Sequence, residues 1–152
     1  MSLDGRYTTQ DGWLLHRGGS AFATYGANQW SPSLGFDYFV NAKQHLRLAV
    51  QWVAIRAKEN RRYELLVPGA PLTVVTDPVG DETSDFSISR LSVQLRYRWE
   101  IAPLSDLFVV YTQNASLPSS THGLGFASMF SETLDNPLAE QLVVKLRYRF
   151  GS

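Results

Sequence analysis

Leu91-Ser92-Val93-Gln94-Leu95-Arg96-Tyr97-Arg98-Trp99-Glu100 is the stretch that decides the fold. Its odd positions are leucine, valine or aromatic; its even positions are serine, glutamine, arginine or glutamate. Successive side chains of an extended chain point to opposite faces, so this segment has one apolar and one polar face. A helix would scatter both classes around its circumference. The pattern returns near the C-terminus, where Leu142, Val144, Leu146, Tyr148 and Phe150 alternate with Lys145, Arg147 and Arg149. Each apolar row ends in two aromatics, and both segments read as long strands.

Fainter copies lie upstream. Leu46, Leu48, Val50 and Trp52 alternate with Arg47, Ala49 and Gln51, and Leu34, Phe36 and Tyr38 with Gly35, Asp37 and Phe39. Leu107 to Thr112 is apolar on both faces until Thr112 and fits either register. Trp13 to Arg17 reads as a short strand, turned at Gly18-Gly19 into a longer one running toward Phe39. Short turns fall at 41–44 and 101–105. Long polar loops are expected over roughly 58–85, with Pro68-Gly69, Pro71, Pro78 and Gly80, and over roughly 115–137, with Pro118, Ser119, Ser120 and Gly123. The expectation is one all-β domain over 1–152, an antiparallel up-and-down meander of about six long strands.

Composition narrows the class. The 152 residues carry 14 basic and 14 acidic side chains and no cysteine. No nucleic-acid partner is suggested by that balance, and no disulfide framework or thiolate metal site can be built. Mean hydropathy is −0.16, and no apolar run approaches the length of a transmembrane helix. A β-barrel is compatible with such values, since its alternating strands average to neutral. Met1-Ser2-Leu3-Asp4-Gly5 lacks the basic and apolar regions of a signal peptide. The chain is therefore expected to be the C-terminal portion of a larger exported barrel.

Alternation alone fits both a soluble barrel with its apolar face inside and a membrane barrel with that face outside. Three features favour the second. The charged face is largely basic, with Arg47, Arg96, Arg98, Lys145, Arg147 and Arg149, while Asp77, Asp81, Glu82 and Asp85 gather in a loop. Strands of about ten residues match a tilted crossing of the hydrocarbon core. Long loops fall on one side only. Tyr97, Trp99, Tyr148 and Phe150 collect at the short-turn end, as an interfacial aromatic girdle on the periplasmic side would.

The expected function is thus a structural or transport segment of a bacterial outer-membrane β-barrel without catalytic activity of its own. Its apolar face meets lipid, and its basic row lines the lumen, attracting anions or pairing with acids such as Glu100 and Asp37. The expected partners are outer-membrane lipid, the remainder of the barrel and, through the C-terminal strand, the barrel-assembly machinery. The alternatives are a soluble small-ligand carrier or part of an outer-membrane hydrolase.

The chemistry-bearing residues are sparse. His16, His45 and His122 share no metal-ligand spacing. No nucleophile elbow, Walker loop or dinucleotide fingerprint occurs, and Gly123-Leu124-Gly125 reads as a turn with no phosphate-binding helix after it. Asp77, Asp81, Glu82 and Asp85 form a weak candidate for a hard cation, at a spacing unlike an EF-hand. Ser119, His122 and Asp135 make a triad on paper only. No cofactor is expected.

Three segments carry a family resemblance: Tyr7 to Leu14, Leu46 to Trp52, and Tyr97 to Gln113 with its Pro103-Leu104-Ser105-Asp106-Leu107 turn. They resemble the bacterial barrel domain of unknown function that follows a module similar to family-nine carbohydrate-binding domains. Near-terminal Phe150 also resembles the closing strand of outer-membrane proteins, although Gly151-Ser152 trail it. The resemblance implies the C-terminal part of a larger barrel. Members of that family are often labelled membrane-associated hydrolases, which is the source of the carbohydrate-hydrolase alternative.

Overall fold

The structure, a computed structural model, describes residues 1–75, 84–117 and 124–150. Its strands are β1 (Ser2–Gly18), β2 (Ala21–Asn41), β3 (Gln44–Glu64), β4 (Thr73–Val74), β5 (Phe86–Ala102), β6 (Ser105–Ser116) and β7 (Pro137–Arg147), with one helix, α1 (Phe126–Leu134). They form one antiparallel sheet in the order β1-β2-β3-β5-β6-β7, while the two residues of β4 pair with the end of β3. The meander of six long strands is therefore present. The sheet is open, and β1 and β7 are its edges.

The two segments with the clearest alternation sit next to the ladder that fixes the register. Leu91, Val93, Leu95 and Tyr97 stand opposite Trp52, Val50, Leu48 and Leu46. On the other side of β5, Leu95, Tyr97 and Trp99 stand opposite Tyr111, Val109 and Leu107. Those three in turn face Leu142, Val144 and Leu146. A slip of one residue would carry all of these side chains to the polar face. This settles Leu107 to Thr112, whose odd positions share the apolar face.

Four boundaries differ from the sequence reading. β1 begins at Ser2, well before Trp13, because Ser2 to Gln10 pair with β2 up to a bulge at Asp11-Gly12, where Gly12 has φ of 73°. Its polar and glycine positions hide that pairing from any alternation test. β3 continues through Lys58-Glu59-Asn60-Arg61-Arg62 to Glu64, where the loop was expected, because β2 and an ion-pair cluster described below hold it extended. The expected loop of 115–137 contains α1, whose nine residues are too few for helical periodicity to declare itself. Gly125 is the residue before that helix, so a helix does follow the glycines that read as a simple turn. Lastly, Tyr148 and Phe150 lie just past the end of β7 rather than within it, their rings edge to face at 4.8 Å.

The connections are asymmetric. Two-residue turns at Ala42-Lys43 and Pro103-Leu104 make up one end of the sheet. Both long connections leave the other end, together with the tight Gly18-Gly19 turn, where both glycines adopt positive φ. Packing occurs on both faces near that long-loop end. On the apolar face, Trp52, Ala54, Leu91, Ala115 and Leu117 bury Met129 of α1. On the polar face, Ala23, Tyr25, Ala27 and Ala57 form a second small core under Trp13, Leu15, Ile55 and Phe86.

Candidate functional site

Each face of the sheet has its own chemistry. The apolar face runs across all six long strands: Leu3 and Tyr7; Trp30, Leu34, Phe36 and Tyr38; Leu46, Leu48, Val50 and Trp52; and the rows of β5 to β7 given above. Helix α1 covers it only near the long-loop end. There Trp52 donates its indole N–H to Ser89 at 2.8 Å, Thr133 donates to the same hydroxyl at 2.6 Å, and Phe130 meets the Trp52 ring edge-on. Toward the short turns the face is bare. Leu142, Val144 and Leu146 are each at least 60 % exposed, and Trp99 and Tyr38 stand open as well. Exposed apolar surface of this extent is larger than monomeric soluble proteins commonly present to water.

The polar face carries the charges. Arg47, Arg96, Arg98, Lys145 and Arg147 share it, near the short-turn end. Arg149 follows β7, its backbone N–H donating to the Ser105 hydroxyl. Two acids organise the cluster. Asp37, directly opposite Arg47, accepts from its guanidinium at 2.6 Å and from His45 Nε2 at 3.1 Å. Asp106 is only 2 % exposed and receives both Arg98, at 3.0 Å, and Arg147. Arg96 and Lys145 have no ion pair among the described residues. The cluster lines a groove of about 420 Å³ whose walls are His45, Arg47, Arg96 and Arg98 and whose apolar part is Phe108 and Val110.

At the opposite end of the polar face, well past Ala54, a second cluster pins the long connection after β3. Glu59 accepts from Arg17, Arg62 and both the backbone N–H and the hydroxyl of Ser84. The Glu59 backbone N–H in turn donates to Asp85 at 2.8 Å. Burial pushes the Glu59 carboxyl up, but the Arg62 and Ser84 hydrogen bonds outweigh it and hold the group below its ordinary value.

The structure thus brings most of the expected basic row onto one face and pairs Asp37 with it. Glu100 takes no part in those pairs, and its place is filled by Asp106. In the sequence Asp106 reads as a turn residue after Pro103-Leu104. Only the register, which sets it between Glu100 and Arg147, reveals its role. The acids are also not confined to loops, since Asp37, Glu59 and Asp106 all lie in strands. Asp77, Asp81 and Glu82 fall outside the described residues, as do Ser119 and His122. Asp85 is engaged with Glu59, and Asp135 ends α1. Among the described residues no group of three or more metal-ligating side chains comes together.

Comparison with known proteins gives one result. No curated protein and no solved structure matches the chain. The family described as Domain of unknown function (DUF5916) matches residues 5–150, nearly the whole chain, and the chain belongs to that family.

Proposed function

We propose that the chain is a wall segment of a bacterial outer-membrane β-barrel, with its apolar face toward lipid and its polar face toward the barrel interior. The observation that carries this reading is the slant of the apolar band. On β2 the band reaches up to Trp30, which stands opposite Ala54 of β3. On β7 its unbroken run ends at Leu142, whose row passes through Tyr111 and Leu95 to Leu48 of β3, and Glu140 separates it from Leu138. Just above that row Gln113 stands opposite Glu140, a polar pair that separates the exposed band from Ala115 and Leu117 under α1.

The upper border therefore descends from the level of Ala54 to that of Leu48 while crossing four strand spacings. With a rise of about 3.4 Å per residue and a spacing of about 4.8 Å, the border runs at roughly 45° to the strand perpendicular. Strands of a membrane barrel tilt by about 35–45°, so a band level with the membrane must cross the register rows at such an angle.

Other features agree. On β5 the band runs from Leu91 to Trp99, about 27 Å along the strand, which projects to roughly 20 Å at that tilt. Helix α1 sits at its upper border with Phe130 and Leu134 exposed, the placement of an interfacial helix. Trp99, Tyr97, Tyr148 and Phe150 gather at the lower border, as an aromatic girdle does. The open edges of β1 and β7 would pair with the rest of a closed barrel, since unpaired backbone is not tolerated in lipid.

Detergent dependence tests the proposal. Refolded with non-ionic micelles, the chain is expected to give a β-sheet circular dichroism spectrum and a compact, heat-sensitive band on gels. In plain buffer neither is expected. A monomeric, cooperatively folded β-protein in plain buffer would mean that the Leu95 face is a buried core, and the proposal would fall.

A further inference from the structure

The groove at the short-turn end of the polar face contains a juxtaposition that sheet stability does not favour. Arg47 and Arg96 stand directly opposite each other on β3 and β5. Like charges at opposed positions destabilise a sheet. One carboxylate, Asp37, answers Arg47 and His45 but not Arg96. On the next row Arg98 is tied to buried Asp106 and lies 5.9 Å over the Phe108 ring, with Lys145 on the far side of Phe108. The groove therefore has pinned guanidiniums, one cation, Arg96, with no ion pair among the described residues, and an apolar floor of Phe108 and Val110, while Lys145, likewise without an ion pair, stands beside it opposite Phe108.

We propose that this groove binds an organic anion, a carboxylate or phosphomonoester attached to an apolar or aromatic body. Arg96 would take the anionic oxygens with the second N–H edge of Arg47, because planar guanidiniums match such groups in pairs. Lys145 adds a point charge from the edge strand. Phe108 and Val110 receive the apolar body, with Arg98 held by Asp106 as one wall. A bare inorganic anion would leave that floor unused, and a neutral alcohol would leave Arg96 unanswered. The assignment deepens the barrel reading by naming what the interior face would hold, and it rests on that reading only in taking the polar face as open to solutes.

The test uses the full chain refolded in dodecyl maltoside micelles and isothermal titration calorimetry at low salt, with phenyl phosphate, inorganic phosphate and benzyl alcohol as probes. Phenyl phosphate is expected to saturate one site, inorganic phosphate to bind at least about 10-fold more weakly, and benzyl alcohol not to bind. Arg96→Gln is expected to weaken phenyl phosphate about 10- to 100-fold, the loss of a charged hydrogen-bonding partner. Lys145→Gln, on the exposed edge strand, provides a second variant and weakens binding severalfold. Arg61→Gln, at the far end of β3, leaves binding unchanged.

Equal binding by Arg96→Gln and Lys145→Gln with their sheet spectra intact would overturn the proposal. So would equal affinity for benzyl alcohol or inorganic phosphate, or no saturable binding by folded protein. The two readings separate cleanly. Folding in micelles without binding would end the groove alone, whereas folding in plain buffer with binding intact would end the lipid-facing assignment and leave the groove.

Discussion

Leu95→Arg is expected to cost about 2–4 kcal/mol of unfolding free energy in phospholipid bilayers, the penalty of a cation near the midplane of a barrel's lipid face. Leu95 lies halfway between Leu91 and Trp99 on β5, flanked by Leu48 and Tyr111. A core site in a soluble protein would also reject arginine, so the depth profile is what discriminates. Leu46→Arg lies at the lower border of the band on β3, where the cost falls to about 0–1 kcal/mol. Leu146→Arg is the sharper case. It shares a register row with Trp99, at the lower border of β5, yet the slant of the band places it mid-membrane on β7. It is expected to cost as much as Leu95→Arg. Gln94→Arg, next to Leu95 but on the polar face, is expected to change stability little. Urea titration of all four in one bilayer system reads the profile directly.

Trp52→Ala is expected to be at least as damaging, at about 3–5 kcal/mol, the range for truncating a buried tryptophan. Trp52 is 6 % exposed and touches Trp30, Phe130 and Ser89. Its removal opens a cavity under α1 and leaves the Ser89 hydroxyl with Thr133 alone. Trp52→Phe keeps most of the volume and loses only the hydrogen bond, so its cost should be near 1 kcal/mol. Hydrogen exchange should place the loss at the α1 contact, with protection falling around Ser89 and Met129 while the short-turn half of the sheet keeps its protection. Uniform loss across all strands would show that α1 is no separate packing unit.

The sequence made the central strands legible because their alternation is clean, and a period of two over eight or more residues has no helical counterpart. β1 and the end of β3 were illegible for a common reason. Asp4-Gly5-Arg6, Thr8-Thr9-Gln10 and Lys58-Glu59-Asn60 present polar side chains on both faces, so only pairing with β2 extends them. Helix α1 was hidden by its brevity. The basic row could be read, because arginine at alternate positions is explicit in the chain. Asp106 could not, since the cross-strand register that buries it between Arg98 and Arg147 joins residues 41 positions apart.

The slant of the apolar band shows the same limit. Every residue in it is visible in the sequence as an apolar member of an alternating run. The descent from Trp30 to Leu142 appears only once the strands are aligned by their hydrogen bonds.

Lipid contact itself is tested most directly by tryptophan quenching with lipids brominated along the acyl chain. Trp99 lies on the apolar face and is 39 % exposed, whereas Trp13 lies on the polar face against Phe86. Two single-tryptophan variants, each with the other three replaced by phenylalanine, are refolded into vesicles. With the apolar face in lipid, strong quenching of Trp99 and little quenching of Trp13 are expected. Equal quenching of both, or quenching of Trp13 alone, would contradict the assignment of the apolar face to lipid.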